Sequence, residues 1–207
     1  MAVIDRDGRL QAVLPDQDGR ETVAVRFSPD SDRLVALDVA ESNDGTWSGR
    51  ITVWDWRQQR VVQSIETPKA GDVDLDTTGR RVATGFGPPT IWDLETGMRI
   101  DLEGSLDQGD VAFSPDGSLL GVPYQATVRL YEAATGQLRQ VLRGGEGKIG
   151  RLAFSADGSK LAAHGIDGVH VWALDLDELV VIGRRELTRT WTIEECERYQ
   201  VQASCLP

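Results

Sequence analysis

The side chains with the widest chemical reach are few in this sequence. Its 207 residues include two histidines, His164 and His170, and two cysteines, Cys196 and Cys205. His164 falls in a predicted turn, Ala163-His164-Gly165-Ile166-Asp167-Gly168, and His170 lies on the strand expected after it. With Asp167 they suggest a general base or half of a metal site. Zinc takes four ligands, or three and a water, and there is no further histidine to complete such a set. Both histidines are therefore read as structural or surface groups, and no metal is expected. The run Arg143-Gly144-Gly145-Glu146-Gly147-Lys148-Ile149-Gly150 approaches a phosphate-binding loop. It fails the G-x-x-x-x-G-K-[ST] spacing, because Leu142 stands at the first glycine position and Ile149 follows Lys148. No G-x-S-x-G elbow occurs. No catalytic set and no cofactor are assigned.

What must position any functional residue is a repeated phrase. Val25-Arg26-Phe27-Ser28-Pro29-Asp30 returns as Val111-Ala112-Phe113-Ser114-Pro115-Asp116-Gly117 and as Leu152-Ala153-Phe154-Ser155-Ala156-Asp157-Gly158. A worn copy, Val73-Asp74-Leu75-Asp76-Thr77-Thr78-Gly79, lies between the first two. Phe27, Leu75, Phe113 and Phe154 are 48, 38 and 41 residues apart. Each copy is followed by a second phrase, Ile51-Thr52-Val53-Trp54-Asp55, Pro89-Thr90-Ile91-Trp92-Asp93, Thr127-Val128-Arg129-Leu130-Tyr131-Glu132 and Val169-His170-Val171-Trp172-Ala173. Its aromatics, Trp54, Trp92, Tyr131 and Trp172, keep the same period. A period near ~40 residues is the mark of a solenoid, a propeller or an array.

Each period holds four strand-like segments. In the third copy they are Asp110-Phe113, Leu119-Val122, Thr127-Tyr131 and Gln137-Leu142; in the fourth, Arg151-Phe154, Lys160-Ala163 and Val169-Trp172 are clear. Pro-Asp, Asp-Gly and Thr-Gly turns separate them. Proline presets φ, aspartate bonds nearby amides, and glycine takes the strained position. A four-stranded unit of this size cannot bury both faces alone; stacking several radially covers them.

Composition sets limits on partners. The net charge is −11, with 33 acidic against 22 basic residues. Nucleic-acid surfaces depend on clustered lysine and arginine, and an acidic chain is repelled by anionic lipid. Neither partner is expected. No stretch approaches the ~20 apolar residues of a membrane span. The N-terminus, Met1-Ala2-Val3-Ile4-Asp5-Arg6-Asp7, does not read as a secretory signal. A cytoplasmic protein is the expectation, with Cys196 and Cys205 as free thiols rather than a bridge.

On these residues the chain resembles the WD-repeat β-propeller family. The Phe-Ser-(Pro/Ala)-Asp copies at 27, 113 and 154 carry the resemblance, with Trp54-Asp55, Trp92-Asp93 and Tyr131-Glu132, over residues 20 to 174. It implies an all-β propeller or partial propeller of four-stranded blades, acting as a rigid platform for protein partners. The family's Gly-His pair before each blade is missing. Gly71-Asp72, Gly109-Asp110 and Gly147-Lys148 stand in its place, so the family's buried histidine network does not carry over. The blades are expected at 22-66, 67-103, 104-145 and 146-174, after a partial blade at 1-21. Three arrangements fit this count: the C-terminal part of a longer propeller, a small closed ring in which Arg9-Leu14 supplies the outer strand of the last blade, or an open arc completed by self-association.

The tail, 175-207, changes character. Asp175-Leu187 reads as a short helix or a final strand, and Thr192-Ile193-Glu194-Glu195 fits a capping box starting a helix to about Gln200. The run from Leu187 to Cys205 resembles the terminal segment of bacterial WD-repeat signalling proteins. The expected function is a non-catalytic scaffold in bacterial signalling or regulation, binding a protein or another domain of a longer polypeptide. The loop from Asp38 to Arg50 is the one clear insertion, and it carries Trp47. Corresponding loops offer Phe86, Tyr124 and His164. The resemblance implies that all four gather on one rim around a central channel, as a partner-binding patch. The alternative is an enzyme or ligand-binding propeller using carboxylates such as Asp38, Asp44 or Asp167 at the channel mouth. A third reading is a truncated propeller without activity of its own.

Overall fold

The computed structural model describes residues 1–15, 18–42, 44–68, 70–85, 87–103, 109–144, 146–175 and 180–181. Seventeen strands follow one another among them. The first pair, β1 (Ala2–Ile4) and β2 (Leu10–Val13), forms a two-stranded sheet. The first blade is β3 (Glu21–Phe27), β4 (Arg33–Glu41), β5 (Trp47–Asp55) and β6 (Arg60–Pro68). The second is β7 (Asp72–Leu75), β8 (Arg81–Gly85), β9 (Thr90–Asp93) and β10 (Arg99–Asp101). The third is β11 (Ala112–Phe113), β12 (Leu119–Tyr124), β13 (Thr127–Glu132) and β14 (Leu138–Arg143). The fourth has three strands among the described residues, β15 (Ile149–Phe154), β16 (Lys160–Gly165) and β17 (Gly168–Ala173). Every described pairing is antiparallel between sequence neighbours, as tight turns require.

The core lies between blades. Val35, Leu37, Ile51 and Val53 of the first blade pack with Val73, Val82 and Trp92 of the second. Ala83 and Ile91 of the second pack with Phe113, Leu120, Val122 and Tyr131 of the third. Val3 of β1, and Leu14 just after β2, pack against Leu34, Ala36 and Trp54 on the opposite face of the first blade. Alternation along the strands of the second blade thus buries one of its faces against the first blade and the other against the third.

The repeated turn is the local reason for the period. Ser114 Oγ donates to Asp116 Oδ1 (2.5 Å) and accepts from the amide of Leu119 (2.9 Å). Ser28 with Asp30 and Ser155 with Asp157 make the same bonds. Gly117 and Gly158 take positive φ there, 68° and 72°, and Ser31 at the same position is held at 59°. The worn copy keeps the geometry with its chemistry reversed. Asp76 occupies the serine position, fully buried. Its Oδ1 accepts from the amides of Arg80 and Arg81 (3.0 Å each), while Thr78 donates to it from the aspartate position (2.9 Å).

Three expectations are corrected. The Asp38–Arg50 insertion is a longer hairpin rather than a loop: pairing continues to Glu41 opposite Trp47. His164 lies on β16, opposite Arg151, because the ladder extends through Gly165. Arg9–Leu14 does not complete the last blade, since β2 pairs with β1, which offers it a partner next along the chain. Residues 1–172 and 173–207 form two separate compact units. The capping box, the helix expected after it and both cysteines lie outside the described residues, as do 176–179 and 182–187 of the segment before them.

Candidate partner-binding rim and channel wall

The inner strands of the blades carry charge where they face one another. Arg26 on β3 reaches Asp72 Oδ1 on β7 (3.1 Å) and lies 3.9 Å from Asp74 Oδ1. The second oxygen of each aspartate accepts a backbone amide of the third blade: Asp72 from Val111 (3.1 Å) and Asp74 from Phe113 (2.8 Å). One carboxylate therefore joins three blades in sequence. At the next junction the amide of Asp110 donates to the carbonyl of Gly150 (2.8 Å), and Arg151 Nε lies 3.8 Å from Asp110 Oδ2. Thr22, Arg26, Asp72, Asp110 and Arg151 line a single cleft of about 490 Å³, so the inner strands of all four blades curve around one concavity.

In the third and fourth blades the repeated aromatic is bonded to the end of the preceding blade. Tyr131 donates its hydroxyl to the carbonyl of Glu103 (2.6 Å), and Trp172 Nε1 donates to that of Arg143 (2.9 Å). Each acceptor belongs to the blade before. Arg81 adds a further link, from Asp76 Oδ2 (2.9 Å) in its own blade to the carbonyl of Gly117 (2.7 Å) in the next.

The carboxylates proposed for a channel-mouth site are engaged locally. Asp38 is buried and accepts from Thr22 Oγ1 (2.6 Å) and Thr52 Oγ1 (3.2 Å), tying three strands of the first blade where the family's histidine network is lacking. Asp44 closes the hairpin turn through the amide and hydroxyl of Thr46. Asp167 accepts from the amide of Glu146 (2.8 Å) and lies 3.0 Å from His170 Nε2. Among the described residues no three acidic, histidine or cysteine side chains cluster in a way that could hold a metal.

The described members of the aromatic set lie on the second or third strand of their blades, near the connection between the two. Trp47 begins β5 and is 40% exposed. Tyr124 ends β12, half-buried, with the Arg129 guanidinium 3.8 Å from its ring centroid, a cation–π distance. His164 is exposed on β16. Phe86 lies outside the described residues. The repeat phrases gave no sign of Arg129 or of the inner-wall pair Arg26 and Asp72, because each is specific to one blade.

Acid titration separates the two kinds of carboxylate. Asp93, Asp157 and Asp167 are each held at about 2, by the amide of Thr96, the hydroxyl of Ser155 and the amide of Glu146 respectively. A carboxyl depressed in the folded state stabilises it above the unfolded value, and that contribution is lost as pH falls through the folded value. Asp72 and Asp74 go the other way: burial pushes both up, against the pull of Arg26 and of the Phe113 amide. Their ionisation opposes folding, and that cost disappears on acidification. The depressed groups are more numerous, so Tm falls as pH drops from 3.8 to about 2. Asp157→Asn flattens this slope; an unchanged slope contradicts the assignment.

No protein-family model matches the chain. Among curated proteins it is 32% identical over 135 residues to the WD repeat-containing protein SL1-17 of Schistosoma mansoni, covering 60% of this chain and 44% of that one. It is 30% identical over 144 residues to an uncharacterized WD repeat-containing protein of Synechocystis, covering 66% and 39%. To human WD repeat-containing protein 90 it is 29% identical over 180 residues, covering 76% and 10%. The chain spans less than half the length of each of these relatives. Among solved structures, the computationally designed Ika4 protein superposes with a TM-score of 0.64 at 21% identity, over 81% of this chain and 99% of that one, a likeness of fold.

Proposed function

Because the chain is a divergent member of the WD-repeat family, we propose that it is a non-catalytic scaffold whose rim of second-to-third-strand connections binds a protein partner. The observation that carries this reading is the elongated β4–β5 hairpin, which extends the ladder beyond the short turns of the other blades and holds Trp47 part-exposed near its tip. A tryptophan on a paired strand is already fixed in position, so binding costs it little ordering entropy. Tyr124 under Arg129 and His164 on β16 are the further contacts of the same rim. The carboxylates of the enzyme alternative are occupied by their own turns and strands, which supports a platform over a reactive centre. Among the described residues no helix is long and apolar enough to cross a membrane. The cytoplasmic setting and the role in bacterial signalling belong to this proposal, on the resemblance of the terminal segment.

Photo-crosslinking from position 47 in the source cell identifies the partner, and titration of that partner tests the rim. Truncating a buried tryptophan anchor costs about 2 kcal/mol, or roughly 30-fold in Kd. Trp47→Ala is expected to show that loss with an unchanged circular dichroism spectrum. An identified partner that binds Trp47→Ala as tightly as the native chain places the interface elsewhere.

A further inference from the structure

We propose that Asp72 is an acid-operated release between blades: when its carboxyl takes a proton, Arg26 of the first blade is let go, while the second and third blades stay joined. The inference is independent of the rim, and it rests on what faces the carboxylate. Arg26 Nη2 stands 3.1 Å from Oδ1, and the Val111 amide donates to Oδ2 (3.1 Å). The Val73 amide of its own strand is a third donor. Of the elements packed against β7, β3 presents Arg26, and the approach to β11 presents Asp110. β8 sets Gly85 opposite Asp72 and turns Arg81 to Asp76, and Asp38 of β4 is engaged by Thr22 and Thr52. Asp74, two residues along the strand, accepts from the Phe113 amide (2.8 Å), with Arg26 Nε 3.9 Å from its Oδ1.

A carboxylate accepts at both oxygens, whereas a carboxylic acid must also donate through its O–H. Each of the three groups bonded to Asp72 is a donor, so a proton there has no acceptor and one partner has to leave. Val111 is buried, and a buried amide stripped of its acceptor pays the full desolvation penalty. The Arg26 side chain is 42% exposed and finds water instead. The proton therefore settles on Oδ1, and Arg26 is the partner released. Burial pushes the Asp72 carboxyl above the usual range, helped by the like charge of Asp110 and opposed by Arg26. A carboxyl raised in the folded state favours folding once it is protonated, so the release happens within the native fold. The turn carboxylate Asp157, held at about 2, keeps its bonds while Asp72 titrates. Release also recharges the cleft of about 490 Å³. Arg26 and Arg151 there are balanced by Asp72 and Asp110 at neutral pH; with Asp72 neutral, Asp110 alone opposes them and the cleft turns net positive.

An NMR titration of the isotopically labelled 207-residue chain tests the first step without any substitution. The Asp72 carboxyl carbon is expected to titrate with a midpoint above 3.8. Through that transition the amides of Val111 and Phe113 are expected to keep their protection from exchange relative to the amides of β12. A double-mutant cycle reads the release itself. At pH 7, Arg26→Met is expected to raise the unfolding constant roughly fivefold, the upper range for a part-exposed pair. In an Asp72→Asn background it is expected to change that constant less than about twofold, because the amide stands in for the protonated carboxyl. Below the Asp72 midpoint the two backgrounds are expected to respond alike. A midpoint at or below 3.8 overturns the proposal. So does an Arg26→Met effect of equal size on both sides of the midpoint. A Val111 amide that loses protection as Asp72 titrates overturns it too, since the proton then frees the third blade rather than the first. Should Asp72→Asn not fold, the titration and the pH dependence of Arg26→Met still decide.

Discussion

Asp76→Ala is expected to cost about 3 kcal/mol, the largest stability loss of any single truncation in a turn of this fold. Its carboxylate is fully buried and accepts from two backbone amides, a threonine hydroxyl and the Arg81 guanidinium. Removing it leaves the amide of Arg81 without its acceptor, the amide of Arg80 with only Thr78 Oγ1 at 3.3 Å, and Arg81 without its counter-charge. Buried donors stripped of acceptors cost about 1–3 kcal/mol even before charge is counted. Arg81 then loses the anchor that aims it at the carbonyl of Gly117 in the next blade, so the damage crosses the junction. The double variant Asp76→Ser with Thr78→Asp recreates the Ser28–Asp30 arrangement of the first blade. It is expected to recover at least half of the loss, measured as the urea midpoint. A double variant no better than Asp76→Ala means that the reversed turn is not equivalent to the others.

The second large effect is steric. Gly136 closes the Thr-Gly turn of the third blade at φ 73°. A Cβ there falls 2.5 Å from Ile100 Cγ2 and 3.0 Å from Leu102 Cδ2, in the last strand of the second blade and just beyond it. Gly97 closes the same turn one blade earlier at φ 71° and meets nothing within 4 Å. Gly97→Ala therefore pays only the left-handed backbone, about 1–2 kcal/mol. Gly136→Ala adds overpacking, typically a further 1–3 kcal/mol. Chemical denaturation of the pair is expected to show the third-blade variant losing about twice as much. Equal losses mean that β10 does not lie against that turn.

Much of this fold was legible because its strongest signals are local. The Ser-Pro-Asp-Gly turns form bonds within five residues of themselves, so Phe113-Ser114-Pro115-Asp116 could be read without neighbours. Strand ends in the third blade agree within two residues of the reading, since turn chemistry fixes them. What escaped depends on distance in the chain. Asp72 and Asp74 stood in the worn repeat with no role assigned to them; their partners are Arg26, 46 and 48 positions back, and the amides of Val111 and Phe113, 39 ahead. The Asp38–Arg50 segment looked like a loop because Asn43, Asp44 and Gly45 dominate it, whereas the ladder outlasts that turn on both sides. For the rim, the sequence offered aromatics at equivalent connections. Arg129 over Tyr124 required the third dimension, because the two lie on separate strands of a hairpin.

The central claim is that successive repeats stand side by side with their inner strands in register. The amide of Phe113 tests it most directly, since its acceptor is Asp74 of the preceding blade. Hydrogen exchange resolved by residue is predicted to show this amide protected in the native chain. In Asp74→Ala it is predicted to exchange faster, relative to the amides of β12 in its own blade. If Phe113 exchanges at the same relative rate in both proteins, the blades are not joined there.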